Sequence, residues 1–270
     1  MAQHHYRGFS LVELSIVLVI IALVIAGIVI SQSLIRNAQM REVLSEYNRY
    51  LISVSEFQKK YNYLPGDFIN AAAIWGTAAS CPLGVGSQLP EKPTCDGDGD
   101  GAIGTTNGAA LMTNNGEWYR AWQHLANAGL IEGIFSGARG TAGNNHGMVG
   151  INIPASKLPS AGWSIGYLLA SVNTSDTEIW PDNYGHILIL GSQQSSNSIA
   201  NGAVLSAGEA FSLDNKIDDG KPSRGTMRVR LSNPADGCVN AGSPSTQDNN
   251  RYTQTGSESP VCRPFFIMGL

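Results

Sequence analysis

Three aspartates at alternate positions give this sequence its clearest candidate for metal chemistry. Asp96, Asp98 and Asp100 alternate with glycines in the stretch DGDGDGAI, which ends at Ile103. The spacing is that of the first half of an EF-hand-like loop, with glycine sixth and an apolar residue eighth. Three carboxylates this close repel one another without a cation. The pattern therefore predicts a Ca²⁺ site; the alternative is a solvated acidic turn.

The predicted loop is not a complete EF-hand. Its twelfth position is Asn107 instead of glutamate, so a remote residue or water would have to complete the shell. Asp214, Asp218 and Asp219 form a second acidic cluster just before a glycine. We interpret this second cluster as the C-terminal turn of a helix, with a metal site as the alternative.

Motifs for catalysis are missing from the sequence. It contains no phosphate-binding loop with GK[ST] and no HExxH, and its one GxSxG match, Gly162–Gly166, overlaps the predicted strand 163–172 instead of standing at a strand-to-helix turn. His124, His146 and His186 are scattered and are interpreted as structural. The net charge of −4, without a long basic run, gives no support to direct nucleic-acid binding. We therefore expect a protein that is not an enzyme.

One further carboxylate lies in a segment otherwise suited to lipid. Residues 9–30 carry a single charged side chain, Glu13, and would form a helix of about 33 Å, which is long enough to cross a bilayer. Acidic residues in such segments usually have a partner. Cleavage after Gly8 would create one, the α-amino group of Phe9, four residues before Glu13 on the same helix face. The alternative is a carboxylate that extends to the lipid headgroups.

The stretch Gly8-Phe9-Ser10-Leu11-Val12-Glu13, followed by an unbroken apolar helix, resembles the processing and methylation motif of type IV pilins and type II secretion pseudopilins. The resemblance implies that a prepilin peptidase cuts between Gly8 and Phe9 and methylates the Phe9 amine. It also implies that Glu13 pairs with the N-terminal amine of a neighbouring subunit during assembly. Residues 1–8 would be a cytoplasmic leader peptide.

The same resemblance implies a location and a set of partners. The chain would be a single-pass inner-membrane protein with a periplasmic head, and would later join a pilus or pseudopilus. Its partners would be the peptidase, other pilin or pseudopilin subunits and the inner-membrane assembly machinery. Many major pilins carry a proline near the outer part of the span, whereas this sequence has Gly27 and no proline there. That difference favours a minor subunit.

Other stretches extend the resemblance beyond the N-terminus. YNYLPGDF, GDGDGAIG, WQHLANAGLI and AFSLDNKIDDGKP are similar to elements of a group of large prepilin-like proteins.

A single helix over residues 9–61 is predicted to position the N-terminal motif. Residues 9–30 would be its transmembrane part, and residues 31–61 an amphipathic extension of the same helix. Leu64 precedes a proline and therefore favours a stop shortly before it. Apolar residues recur in the extension at spacings of three and four, which predicts one buried face: Val43, Tyr47, Tyr50, Val54, Phe57 and Tyr61.

Residues 62–270 are predicted to form a pilin-like α+β head, with a small antiparallel sheet and short helices. A loop is expected over residues 70–110. The capping box Ser206–Glu209 predicts one of the helices. The predicted helices are 117–128 and 206–216, and the predicted strands are 163–172, 187–190, 225–231 and 265–268, the last as an edge or pairing strand.

The four cysteines allow three pairings, and their separations favour Cys81–Cys95 and Cys238–Cys262. An oxidising compartment would make both pairs disulfides, with reduced thiols as the alternative. Neither pair has the CxxC spacing of a zinc site. By resemblance, the polar segment closed by the second pair could be an exposed contact surface, or else an ordinary surface loop.

Together these patterns predict a structural subunit of a type IV pilus or a type II secretion pseudopilus. The alternative is a calcium-dependent binding or adhesion module. It would keep residues 1–8 as part of one permanent membrane anchor and would form no filament.

Overall fold

The computed structural model of the 270-residue chain describes residues 10–79, 81, 92–104, 116–140, 146–168, 180, 182, 184–195, 198–230, 237–240, 251–253 and 259–270. The chain divides into two compact units, Met1–Glu42 and Val43–Leu270. The helices in the described residues are α1 (Leu11–Tyr61), α2 (Ala71–Trp75), α3 (Glu117–Asn127) and α4 (Ala207–Ile217). The strands there are β1 (Ala161–Leu168), β2 (Gly185–Ser192), β3 (Met227–Val229), β4 (Val239–Asn240), β5 (Arg251–Tyr252) and β6 (Pro264–Ile267). The predicted α+β class is confirmed.

Helix α1 runs for 51 residues and ends where the sequence predicts, at Tyr61. The next residue, Asn62, adopts a left-handed conformation with φ of 61°. Its N–H donates to the carbonyl of Gln58 at 2.8 Å. Asparagine is one of the few residues that take this conformation readily, so it ends the helix just before the proline-containing turn.

The predicted apolar face of α1 is buried within the second unit. Val43, Val54 and Phe57 have no exposed surface. The Tyr47 ring stacks on Phe266 of β6 with centroids 5.0 Å apart. The ring of Tyr50 contacts Trp122 of α3 at 5.0 Å and Trp163 of β1 at 5.8 Å. This row of side chains joins α1 to a helix and to two strands, and only Tyr61 at its end is half-buried.

One polar side chain lies on the same buried face. Glu46 is only 4% exposed. Its carboxylate accepts hydrogen bonds from the Ser156 hydroxyl at 2.7 Å, the Lys157 backbone N–H at 2.9 Å and the Trp163 indole N–H at 2.8 Å. A buried carboxylate is stable only when donors surround it in this way. Glu46 therefore fixes α1 to β1 and to the segment before it.

The main sheet is antiparallel, with strand order β1-β2-β6-β3. Its longest pairing joins β1 to β2 over eight residue pairs, from Ala161↔Ser192 to Leu168↔Gly185. β6 lies between β2 and β3, which is a central position and not an edge. The first six residues of the predicted strand 163–172 lie in β1, and the predicted strands 187–190, 225–231 and 265–268 are recovered with shifted ends where the residues are described.

Helix α4 begins as its sequence predicts. The Ser206 hydroxyl accepts from the Glu209 N–H at 3.3 Å, and the Glu209 carboxylate accepts from the Ser206 N–H at 2.9 Å. This reciprocal pair is a capping box, which satisfies two donors at the helix start.

Three elements were not expected. The loop predicted over residues 70–110 contains the short helix α2, and the segment between Cys238 and Cys262 contains the paired strands β4 and β5. Elements of two to five residues are too short to produce a readable period. The N–H of Ala72 in α2 donates to Asp96 at 2.8 Å, so a distant residue stabilises this helix.

Candidate functional site

The described part of the N-terminal motif begins at Ser10 and forms a capping box at the start of α1. The Ser10 N–H donates to the Glu13 carboxylate at 2.8 Å, and the Glu13 N–H donates to the Ser10 hydroxyl at 3.2 Å. Gly8 and Phe9, the predicted cleavage and methylation residues, lie outside the described residues. The Glu13 side chain therefore turns back toward the N-terminal end of its helix.

The apolar part of α1 is suited to lipid. Among the described residues, this is the one helix long and apolar enough to cross a membrane, by length and composition. Its side chains are exposed, as shown by Leu11 at 87% and Leu23 at 69%. The hydroxyls of Ser15 and Ser31 donate to helix carbonyls, at 2.8 Å in both cases. Their polar groups thus need no partner from a surrounding apolar medium.

The three aspartates of the predicted calcium loop all accept backbone hydrogen bonds. Asp96 accepts from Ala72 at 2.8 Å, Asp98 from Asp100 at 3.1 Å and Asp100 from Ala102 at 2.9 Å. The structure does not gather these three carboxylates around one point. It brings Asp98 together with two residues that sequence reasoning missed as ligands, Asp67 and Glu117, and leaves Asp96 and Asp100 outside that group. Asn107 lies outside the described residues.

The two additional acids are buried. Asp67 is 1% exposed and Glu117 has no exposed surface. Burial is the main cause that raises the pKa of Asp67 to about 6 and that of Glu117 to about 8, and the charge of Asp98 adds to both shifts. Backbone N–H groups oppose the shifts by donating to the carboxylates. Two carboxylates out of water beside a third are costly as anions unless a positive charge joins them.

Two of the three histidines are held in fixed roles. The fully buried His124 accepts from the Gly66 N–H at its Nδ1 at 3.0 Å, and its Nε2 lies 3.1 Å from the Thr94 hydroxyl. Burial lowers its pKa to about 3, so it stays neutral. His186 accepts from the Ile103 N–H at 3.3 Å, and burial lowers its pKa to about 4. These contacts support the structural interpretation.

The second acidic cluster is organised by hydrogen bonds at the end of α4. Asp214 is buried and accepts from the Tyr252 hydroxyl at 2.6 Å and from the Gly220 N–H at 3.2 Å. Asp218 caps α4 and accepts from the N–H groups of Thr226 and Met227. Burial is the main cause that raises the pKa of Asp214 to about 9. Asp219 lies close to both Asp214 and Asp218. The hydrogen bonds nevertheless support the interpretation of this cluster as the C-terminal turn of a helix rather than as a metal site.

All four cysteines are paired as predicted, Cys81 with Cys95 and Cys238 with Cys262. The first disulfide lies directly beside Asp96, at the start of the glycine-rich loop, which is residues 96–103. The second joins the strand β4 region to the segment before β6. Most of the polar segment proposed as a contact surface, residues 241–250 and 254–258, lies outside the described residues.

Comparison with known proteins identifies the N-terminal segment. Residues 3–29 match the family model described as the prokaryotic N-terminal methylation motif. No curated protein and no solved structure gives a significant match to the chain. The matched motif and the long apolar helix that continues from it are consistent with a type IV pilin-like protein.

Proposed function

We propose that this protein is a structural subunit, of the minor type, of a type IV pilus or a type II secretion pseudopilus. Prepilin peptidase removes residues 1–8 and methylates the new amine of Phe9. The apolar part of α1 holds the subunit in the inner membrane, with its head in the periplasm. The assembly machinery then transfers the subunit into a filament built with other pilin or pseudopilin subunits.

The methylation motif over residues 3–29, continuous with an exposed apolar helix, is the observation that carries this proposal. A helix with apolar side chains on all faces needs either lipid or other helices around it. A membrane and the centre of a filament both supply such surroundings. The motif is consistent with a non-enzymatic, structural role.

The first prediction concerns processing. When the full chain is produced in cells with an active prepilin peptidase, the intact mass should correspond to loss of residues 1–8 and gain of one methyl group. Cells that lack the peptidase should yield the uncut chain, which is the matched control. An uncut, unmethylated N-terminus in peptidase-containing cells would contradict the proposal and favour the permanent anchor.

A second prediction concerns the charge of Glu13. Glu13→Gln removes the charge but keeps an oxygen that can serve the capping box, because glutamine functions at that position as well. We expect normal membrane insertion but at least tenfold less incorporation into filaments. Breaking a buried ion pair costs about 3–5 kcal/mol, and about 1.4 kcal/mol already corresponds to a factor of ten.

The control for Glu13 is Ser10→Ala, which removes half of the capping box and keeps the charge. Loss of a cap costs only about 1 kcal/mol. Filaments can be sheared from cells, and the variant subunit measured in them relative to the membrane fraction. Equal incorporation of Glu13→Gln and the unaltered chain would show that the carboxylate acts only as a helix cap.

The second candidate function is a calcium-dependent binding module on a permanent membrane anchor. The buried acidic group around Asp67 and Glu117 is the observation that favours it. Calcium binding alone does not distinguish the two functions, since a filament subunit can also bind an ion. The intact mass does distinguish them.

A further inference from the structure

Two loops and the start of a helix meet at the acidic group of Asp67, Asp98 and Glu117. The loop that follows α1 supplies Asp67, the glycine-rich loop supplies Asp98, and Glu117 is the first residue of α3. The Gly97 N–H donates to the Phe68 carbonyl at 2.9 Å, so the two loops lie backbone against backbone. This backbone contact helps to hold the acids together in addition to the hydrogen bonds of their own side chains.

The three carboxylates are close enough to share one ion. One oxygen from each lies within 4.8 Å of the others. Asp67 and Glu117 are fully buried, whereas Asp98 is exposed and closes the group toward solvent. The buried Arg120 of α3 interacts with Glu117, and its guanidinium also donates to the Asp96 carbonyl at 3.0 Å. Arg120 brings one positive charge to a group of three carboxylates, so the group remains negative when all three are ionised.

One buried oxygen in the group has no hydrogen-bond partner. Both oxygens of Glu117 accept backbone N–H groups, from Asp98 at 3.1 Å and from Gly104 at 2.8 Å. The Oδ2 atom of Asp67 accepts from the Gly101 N–H at 3.1 Å. Its Oδ1 atom is buried and accepts from no donor among the residues that the structure describes. Buried oxygens without a donor are rare, and a bound cation would satisfy this one.

The chemistry of this group selects a hard cation. Its three side chains offer oxygen atoms and carry negative charge, which suits Ca²⁺ or Mg²⁺ over zinc or copper. Ca²⁺ accepts six to eight oxygens in irregular loops with bonds of about 2.3–2.6 Å, so it tolerates separations up to about 5 Å between opposite ligands. Mg²⁺ requires a compact octahedron with bonds of about 2.0–2.1 Å. The irregular backbone and the spacing favour Ca²⁺.

We propose that Asp67, Asp98 and Glu117 bind one Ca²⁺ ion, which cross-links the loop after α1, the glycine-rich loop and the start of α3. The site differs from the one expected from the sequence, because Asp96 and Asp100 are not among its carboxylate ligands. This proposal goes beyond the filament role and does not depend on it.

The test uses the full chain, purified in detergent micelles and freed of metal by a chelating resin. Isothermal titration with CaCl₂ at neutral pH should show one site per chain, and Ca²⁺ should raise the melting temperature. Asp67→Asn and Glu117→Gln should each weaken the Ca²⁺ affinity at least tenfold. Asp98→Asn should do the same without disturbing the core, because its exposed side chain keeps an oxygen for the Asp100 N–H.

Two variants serve as controls. Asp96→Asn removes a carboxylate of the sequence-expected set, and Asp219→Asn removes one from the other acidic cluster. Both should bind Ca²⁺ with unchanged stoichiometry and within about threefold of the original affinity. If Asp67→Asn fails to fold, as judged by circular dichroism, the Ca²⁺ affinity of Asp98→Asn alone tests the proposal. The proposal is overturned if the unaltered chain binds no Ca²⁺ at millimolar concentration, or if Asp98→Asn binds like the unaltered chain.

Discussion

Glu46→Ala is expected to lower the free energy of unfolding of the head by about 3–5 kcal/mol, which is the usual cost of breaking a buried charged network. The substitution leaves three donors without an acceptor: the Ser156 hydroxyl, the Lys157 N–H and the Trp163 indole N–H. It also leaves a cavity between α1 and β1. Urea unfolding of the detergent-solubilised chain, followed by tryptophan fluorescence, measures the effect.

Two further variants show whether the carboxylate itself causes this loss. Glu46→Gln keeps the volume and one acceptor but turns an NH₂ group toward a donor, so we expect a smaller loss of about 1–3 kcal/mol. Glu56→Ala changes the same residue type at an exposed position of the same helix and should shift stability by less than about 0.5 kcal/mol. Similar losses from Glu46→Ala and Glu56→Ala would refute the role assigned to Glu46.

Gly97→Ala is expected to destabilise the head by about 3 kcal/mol and to weaken Ca²⁺ binding. A methyl group at residue 97 would overlap backbone atoms of Gly66 and Asp67, and backbone cannot move aside as a flexible side chain can. Overpacking of a well-packed site typically costs about 1–3 kcal/mol. Because the added methyl group would clash with backbone atoms, we expect a cost near the upper end of that range. Urea unfolding and calcium titration would measure the two effects.

Gly208→Ala is the matched control for this substitution. Gly208 lies in the first turn of α4, and a methyl group there meets no atom within 4 Å. Because alanine favours helix over glycine, stability should stay equal or rise by up to about 1 kcal/mol. If Gly97→Ala proved as stable as Gly208→Ala, the close backbone contact between the two loops would be incorrect.

Local signals in the sequence predicted the elements whose causes are local. The period of apolar residues and the stop near Pro65 gave the extent of α1, and Ser206 with Glu209 gave the start of α4. The short separations within Cys81–Cys95 and Cys238–Cys262 identified both disulfides. The capping box of Ser10 and Glu13 also has a local signal, because the S-x-x-E spacing of a capping box can be read directly from the sequence.

Contacts between distant residues were not predictable in the same way. Asp67 follows the predicted end of the long helix and Glu117 is the first residue of the predicted helix 117–128. Only folding brings them to Asp98, which lies 19 residues from Glu117. Glu46 is a charged residue within the predicted amphipathic extension and is absent from its predicted apolar face. Yet it stands three residues after Val43 and four before Tyr50, on the buried face. That spacing could have identified it as a carboxylate requiring buried donors.

The central position of β6 has a consequence for how the head is made. Both β2 and β3 pair with β6, which follows them in the chain. Neither pairing can form until the ribosome has synthesised β6. A nascent head stopped before residue 264 would leave these two strands with open edges, which are surfaces prone to aggregation. The sheet can therefore close only after residues 264–267 have been synthesised.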